Sequence, residues 1–476
     1  MFPYATGGVR VRRSRISTTP QTNIVIPPLS PYHIAMTDFA INWHAKTWRI
    51  AAPVIITNVS VPVLGIVDTA VVGRLPGAEY VGAVAIGALI FSLLYHGCNF
   101  LRMGTTGLTA QAYGARNGSD VKTWLARALL FGSLIGVAMV MLQWPLFQFA
   151  SLLVGPSDAV LPLAEDYFSV RIWAAPFALA NFALLGWFFG VQDVRAALIT
   201  QVYMNGVNVV LDVWFVLGLG WGVAGVAWAT VIGETTALGL GLIFAARHLA
   251  RMGGKMDRSA VFEISALRRL MQLSRDIFIR SMCLQAAFVT LTAVGARMGD
   301  VTLAANAVLL HFQTFMAYAL DGFATATEAL TGEAFGAGKR RRFKAAVNAS
   351  TIWAVAFSVI FAAIYGFFGR DVIDLITTIP EVRERAYAFV VWMIILPPVS
   401  VWSFQLDGIF IGCTWSREMR NSMILSLIAY IGAVVLLSSA FGNHGLWASL
   451  VVLMVARAVT LSWMMPKLVR QIPDGD

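Results

Sequence analysis

Residues 73–198 of this chain are echoed, without a gap, by residues 295–420. Gly107-Leu108-Thr109-Ala110-Gln111-Ala112-Tyr113-Gly114 stands where the second copy has Ala329-Leu330-Thr331-Gly332-Glu333-Ala334-Phe335-Gly336. Gly186, Gly190 and Arg195 match Gly408, Gly412 and Arg417, while Pro176 falls on Pro398, Gly73 on Gly295 and Ala83 on Ala305. A duplication of this extent restricts the fold to two similar halves facing each other. In a membrane, paired repeats of this kind build transporters.

The membrane assignment comes from composition. Of 476 residues, 58% are apolar and only 13% charged, with a mean hydropathy of +0.72, where soluble domains carry about a quarter charged residues. Apolar stretches near 48–73, 80–114, 121–150, 160–191, 195–217, 222–247, 274–297, 301–336, 343–368, 382–413, 417–440 and 443–467 are each long enough to cross ~30 Å of hydrocarbon, which takes about 20 helical residues. They are continuously apolar rather than alternating, which excludes a β-barrel. The expected fold is an all-α membrane protein of twelve transmembrane helices. Each repeat holds an even number of spans, so both lobes insert the same way up and their pseudo-twofold axis runs along the membrane normal.

The net charge of +10 follows topology. Most of the 35 Lys and Arg fall with the termini and alternate loops, in clusters over Arg247–Arg280 and Lys339–Lys344. Only Arg74, Arg297, Arg370, Arg383 and Arg385 lie in the loops of the opposite side. By the positive-inside rule both termini are cytoplasmic, and the basic balance does not imply a nucleic-acid partner. The expected organisation is a basic N-terminal arm over 1–47, an N-lobe over 48–247, a cytoplasmic linker over 248–273, a C-lobe over 274–467 and a tail over 468–476. The linker has a flexible point at Gly253-Gly254 and a short amphipathic helix near Val261–Leu273. The arm is Ser/Thr/Pro-rich with Arg10, Arg12, Arg13 and Arg15 and no apolar core, so it reads as disordered rather than as a signal peptide. A start of translation at Met36 is the other reading. Cys98, Cys283 and Cys413 all fall in spans and suggest packing rather than a disulfide framework or a metal site.

The sequence holds no nucleotide site. Gly332–Lys339 approaches a phosphate loop, but its glycine spacing is one residue too long and Arg340 replaces Ser/Thr. His96 and His311 form no catalytic motif, and neither HExxH nor GxSxG occurs. An intramembrane enzyme is therefore disfavoured, no cofactor is expected, and uphill movement must draw on an ion gradient.

Ionisable residues inside spans are the informative ones, because a carboxylate at mid-bilayer costs ~2.5–3.5 kcal/mol on insertion scales. Asp68 lies in span 1 together with Pro53 and Pro62, which free carbonyls and permit a bend. Span 5 supplies Asn205, Asn208 and Asp212, the last two spaced to share one helix face. An amide beside a carboxylate makes either a hard-oxygen cation site or a proton trap. Thr230 in span 6 offers a further oxygen, and Asn181 in span 4 is a buried amide that, like Asn205, is a candidate for lining the substrate cavity. In the repeat Asp68 falls on Thr290, and Asn208 and Asp212 fall near the aliphatic stretch Tyr430–Leu436. Coupling is thus expected in the N-lobe alone. The C-lobe acids Asp321, Glu328 and Asp407 stand elsewhere; Asp321 and Asp407, each in a Leu-Asp-Gly triplet, are candidates for lining a central cleft.

Val67-Asp68-Thr69-Ala70-Val71-Val72-Gly73, Thr105–Ala112, Asn208-Val209-Val210-Leu211-Asp212, Leu320-Asp321-Gly322-Phe323-Ala324 and Leu406–Gly412 occur in that order. Over residues 40 to 468 the chain resembles the multidrug and toxic compound extrusion (MATE) family and, within it, the DNA-damage-inducible protein F (DinF) branch. The resemblance implies a V of two six-helix bundles in a bacterial inner membrane, working as a monomer. It implies export of amphipathic, often cationic, compounds in exchange for H⁺ or Na⁺. The family's N-lobe ion site carries over onto Asp68, Asn208, Asp212 and Thr230. Relatives with a C-lobe site carry acids in spans 7 and 10, where this chain has Gln285 and Pro397-Pro398. H⁺ is the expected coupling ion, with Na⁺ at the same four residues, or a lipid flippase of the same superfamily, as the alternatives. A major-facilitator carrier would show a charged signature between spans 2 and 3, which Gly114-Ala115-Arg116-Asn117-Gly118 does not supply.

Overall fold

The computed structural model describes residues 41–256 and 258–473, apart from the side chains of Val61, Pro62, Val63, Ile66 and Leu153. Residues 1–40 of the basic arm, Met36 among them, and the last three residues lie outside the described residues. Among those described, regular structure is helical throughout, as lipid demands of a backbone that has no water to bond to.

The first crossing is α1 (Trp43–Val72), and the second is α2 (Ala78–Gly97) continued by α3 (Phe100–Gly114). The third is α4 (Gly118–Met141), followed by α5 (Gln143–Val154). The expected single span over 121–150 divides at Leu142 because Pro145 has no N–H to donate to the preceding turn. The fourth crossing bends: α6 (Leu161–Arg171) passes through a 3₁₀ turn at Ile172–Ala174 into α7 (Ala175–Gly190), again where a proline, Pro176, withholds a donor. The fifth, α8 (Val194–Asp212), ends in a π-helical turn over Val213–Gly218, and the sixth is α9 (Gly222–Arg251). After the short α10 (Arg258–Val261) come α11 (Ile264–Ala296), α12 (Asp300–Gly336), α13 (Arg340–Ile376), α14 (Pro380–Gly412) and α15 (Ser416–Val469). Gly442, at φ 55° and ψ −132°, breaks α15 into two crossings. Among the described residues these helices make twelve crossings in two sets of six.

The separate amphipathic helix expected near Val261–Leu273 is not formed. Ile264–Leu273 contains neither Gly nor Pro, so the helix propagates without a break into the seventh crossing. The proline pair of span 1 does not interrupt α1, whose backbone is helical from end to end; one turn after Pro53 the Thr57 hydroxyl bonds back to the Pro53 carbonyl at 2.9 Å.

The two halves meet where the repeat is strongest. A Cβ on Gly114 would lie 1.9 Å from the carbonyl oxygen of Glu333, and one on Gly336 would lie 2.1 Å from that of Gln111. Gly114 is the counterpart of Gly336 and Gln111 of Glu333, so this is one contact made twice across the pseudo-twofold axis. Small residues that let backbones touch are the usual means of joining helices in lipid. Inside each lobe the repeat makes another matched pair: Gly186 against the Arg102 carbonyl and Gly408 against the Ala324 carbonyl, with would-be Cβ distances of 2.2 and 2.4 Å.

Further contacts surround this seam. Lys46 Nζ lies 2.6 Å from Glu333 Oε2, and Gln192 Nε2 donates to the same oxygen at 2.6 Å. Glu333, which its sequence places beside the basic loop 339–344, thereby ties α1 and the α7–α8 turn to α12. Gln111 Nε2 donates to the Gly412 carbonyl at 2.9 Å, and Trp48 packs edge-on against Phe323. Asn58 donates to the Tyr318 carbonyl at 3.1 Å. All of these lie between the basic face and mid-span, so the lobes are held together at their basic end. A leucine at Gly114 or Gly336 should prise them apart. With cysteines at Gln111 and Thr414, whose side chains meet at 3.2 Å, and with Cys98, Cys283 and Cys413 removed, disulfide yield is expected to fall several-fold. Gly239→Leu, where a Cβ meets nothing within 4 Å, should leave the yield unchanged.

Candidate ion-coupling site

The helix breaks of the N-lobe bring its polar residues together. Asp68 comes from the last quarter of α1, and Asp212 is the final residue of α8, where the helix widens into the π turn. Such widenings recur at functional sites because they re-aim side chains. The two carboxyl groups are in hydrogen-bond contact with each other. Asp212 is fully buried, and Asp68 Oδ1 and Asp212 Oδ1 receive no hydrogen bond from any donor among the described residues.

Asn208, one turn before Asp212 and 3% exposed, fixes the pair. Its amide is oriented so that the nitrogen donates to Asp212 Oδ2 at 2.9 Å and the oxygen accepts from the Thr230 backbone N–H at 3.1 Å. The i, i+4 spacing read from sequence is thus realised, and Thr230 closes the group from α9. The four residues expected to form one site do stand together.

A second layer lies behind them, where Asn181, expected in this region, joins two residues to which sequence analysis assigns no role, Glu234 and Arg171. Glu234, one turn beyond Thr230 on α9, accepts from Asn181 Nδ2 at 2.7 Å through Oε2, and its carbonyl accepts from the same nitrogen at 2.9 Å. Arg171 stands at the α6 bend with its guanidinium 4.9 Å from the centre of the Phe91 ring and hydrogen-bonded to the Tyr167 hydroxyl. Its charge acts on Asp68, Asp212 and Glu234 together. Three carboxyl groups therefore share one fixed cation. Glu234 and Arg171 carry the same signal that singles out Asp68, an ionisable group within a span.

The remaining candidates are placed differently. Asn205 donates to Ser60 Oγ at 2.9 Å and accepts from Gln201 at 3.2 Å, so it ties α8 to α1 away from the carboxyl pair. Asp321 accepts from Asn58 at 3.3 Å, between the lobes near mid-span. Asp407 does not line a cleft. It is 7% exposed and held between Arg457, at 2.5 Å, and Arg280, so its charge is taken up inside the C-lobe. Glu328 is 2% exposed on the lobe interface near Thr106 and Arg102. Pro62 falls among the side chains outside the description.

The sequence model of the MatE family matches residues 53–214 and again 277–438, one copy per lobe. The chain belongs to the MatE family. Over 422 residues it is 43% identical to DNA damage-inducible protein F of Escherichia coli (strain K12), covering 87% of this chain and 90% of that one. It is 25% identical over 430 residues to a probable multidrug resistance protein NorM of Rhizobium meliloti (strain 1021), covering 85% and 89%. Among solved structures, crystal structures of MATE in a bent and in a straight conformation each superpose with a TM-score of 0.81 at 19% identity, over 90% of this chain and 96% and 97% of theirs. At that identity the likeness concerns the fold. A MatE fold and family make this chain a multi-pass membrane transporter rather than an enzyme.

In this MatE protein Arg171 and Glu234 should be energetically coupled. A double-mutant cycle of Arg171→Gln and Glu234→Gln, read as thermal stability in detergent, is expected to give an interaction of about 0.5–3 kcal/mol. Strictly additive losses would mean that the guanidinium does not serve the carboxyl cluster.

Proposed function

We propose that this chain expels amphipathic organic cations in exchange for protons, with Asp68 and Asp212 as the exchanging pair and the basic face towards the cytoplasm. The observation that supports this reading is the contact between two carboxyl groups at the end of a broken helix. Two carboxyls at hydrogen-bond distance need a proton or a cation between them, and such a pair titrates as a unit. With the lobes closed at the basic end, the site is served from the opposite side, where protons are delivered.

The cycle then runs as follows. A proton entering from outside settles between Asp68 and Asp212 and neutralises the end of α1. The helix repacks against α8, and the bound cation leaves. The lobes part along the glycine seam, the proton is lost to the cytoplasm, and the ionised pair draws in the next cation. One-for-one exchange of a proton for a monovalent cation moves no net charge, so the pH difference drives it, and each pH unit supplies about 1.4 kcal/mol, a roughly tenfold drug gradient. The names of curated relatives, among them a probable multidrug resistance protein YoeA of Bacillus subtilis (strain 168), support an export role. A monomer is sufficient for the scheme, since each lobe supplies its own half of the path.

The carboxylate, amide and hydroxyl oxygens of Asp68, Asp212, Asn208 and Thr230 also suit a hard cation, so Na⁺ is the second reading. Dye efflux from proteoliposomes under separately imposed gradients tests both. Efflux is expected with a proton gradient alone, reduced at least tenfold by Asp68→Asn. Efflux that follows Na⁺ alone would retain the site and change the ion; full pH-driven efflux by Asp68→Asn would remove the pair from the mechanism.

A further inference from the structure

A cavity of about 600 Å³ opens on the basic face of the C-lobe, far from the carboxyl pair, between the start of α11, the turn at Thr414-Trp415 and both ends of α15. Five cationic side chains line it: Arg269, Arg275, Arg417, Arg420 and Lys467. The acids in its wall are Asp276 and Glu418. Asp276 is already engaged, accepting from Arg420 at 2.7 Å, Arg275 at 3.1 Å and the Ser416 hydroxyl at 3.1 Å. Arg417 and Lys467 form no ion pair among the described residues. The first turn of α15 has no side-chain cap, and its Ser416, Arg417 and Glu418 face the same cavity, so free N–H groups add to the positive potential. Such a hollow selects an anion with several acceptor oxygens.

Its surroundings decide which anion. Trp463 lies one turn before Lys467 on α15 and is 83% exposed, while Ile264 and Met271 on the first turns of α11 are 75% and 55% exposed. A cationic hollow bordered by open apolar surface fits a phosphate that carries acyl chains. Basic pockets between helices on the cytoplasmic side recognise anionic head groups in this way. The feature belongs to one lobe, since Arg420 falls on Leu198 in the repeat. Thr414, on the cavity wall, accepts from Arg269 at 3.3 Å and from Gln111 of the other lobe at 3.2 Å, which puts the pocket at the end of the closing seam.

We infer that this pocket binds the phosphate group of an anionic phospholipid. The inference takes the basic face as cytoplasmic, and its test reads binding without transport, so it stands or falls apart from the exchange reaction. The purified full chain is offered equal phosphatidylglycerol and phosphatidylethanolamine, and lipid adducts are counted by native mass spectrometry. Phosphatidylglycerol should be retained about tenfold over phosphatidylethanolamine, and Arg417→Gln with Lys467→Gln, which spares the Asp276 contacts, should abolish the preference. Lys467→Gln alone, should the double variant fail to fold, is expected to weaken it several-fold. Equal retention of the two lipids, or a preference untouched by the variants, would overturn the site. Inorganic phosphate that raises thermal stability as much as phosphatidylglycerol does would assign the pocket to a soluble anion and overturn the lipid.

Discussion

The structure depends on one close approach of backbone to backbone. Where α3 crosses α12, Gly114 rests on the Glu333 carbonyl and Gly336 on the Gln111 carbonyl, and no larger side chain fits in either place. Lipid offers no hydrophobic drive for two apolar lobes to associate, so packing and interhelical hydrogen bonds must hold them. The seam supplies the packing, and Lys46, Gln192 and Glu333 supply polar contacts beside it. Because these contacts gather at the basic end, the lobes can separate there without disturbing the interior of either one. A transporter needs that property: one contact region that opens, and two bundles that stay rigid.

The lobes share a backbone plan but differ inside. The N-lobe interior holds Asp68, Asp212 and Glu234 around the cation Arg171, with two carboxyl oxygens that receive no hydrogen bond from a donor among the described residues. The C-lobe interior holds Asp407 between Arg280 and Arg457, an ion cluster with its own counter-charges. Removing one partner from such a cluster is costly because it strands the others, which suits a structural role. The N-lobe set is short of cations and so is suited to exchanging one. The duplication supplies a common frame, and in the proposed mechanism the exchange chemistry belongs to one half of it.

Much of this is legible in the sequence for identifiable reasons. The spans are read from apolar length alone; in the structure Asn42, Asn117 and Asp193 cap the helices that follow them. Asn208 and Asp212 are paired by the i, i+4 rule, which holds wherever a helix is regular. The reading falters where a side chain's meaning depends on its neighbours. Asp407 resembles a cleft residue in a Leu-Asp-Gly triplet, and only the approach of Arg280 and Arg457, from helices distant in the chain, shows otherwise. Asn205 carries the same chemistry as Asn208, but a step of three residues falls about 60° short of a full turn, and Asn205 meets Ser60 instead. The running-on of α11 through 264–273 reflects the absence of a breaker, which composition alone understates.

In the proposed mechanism cation and proton compete for the Asp68–Asp212 pair. Proton release on substrate addition tests it most directly: the purified protein, weakly buffered near neutral pH with a pH indicator, is titrated with a cationic dye. The account predicts a stoichiometric release that saturates with dye binding and disappears in Asp212→Asn. Dye binding with no release in the wild type, or equal release in Asp212→Asn, would contradict it.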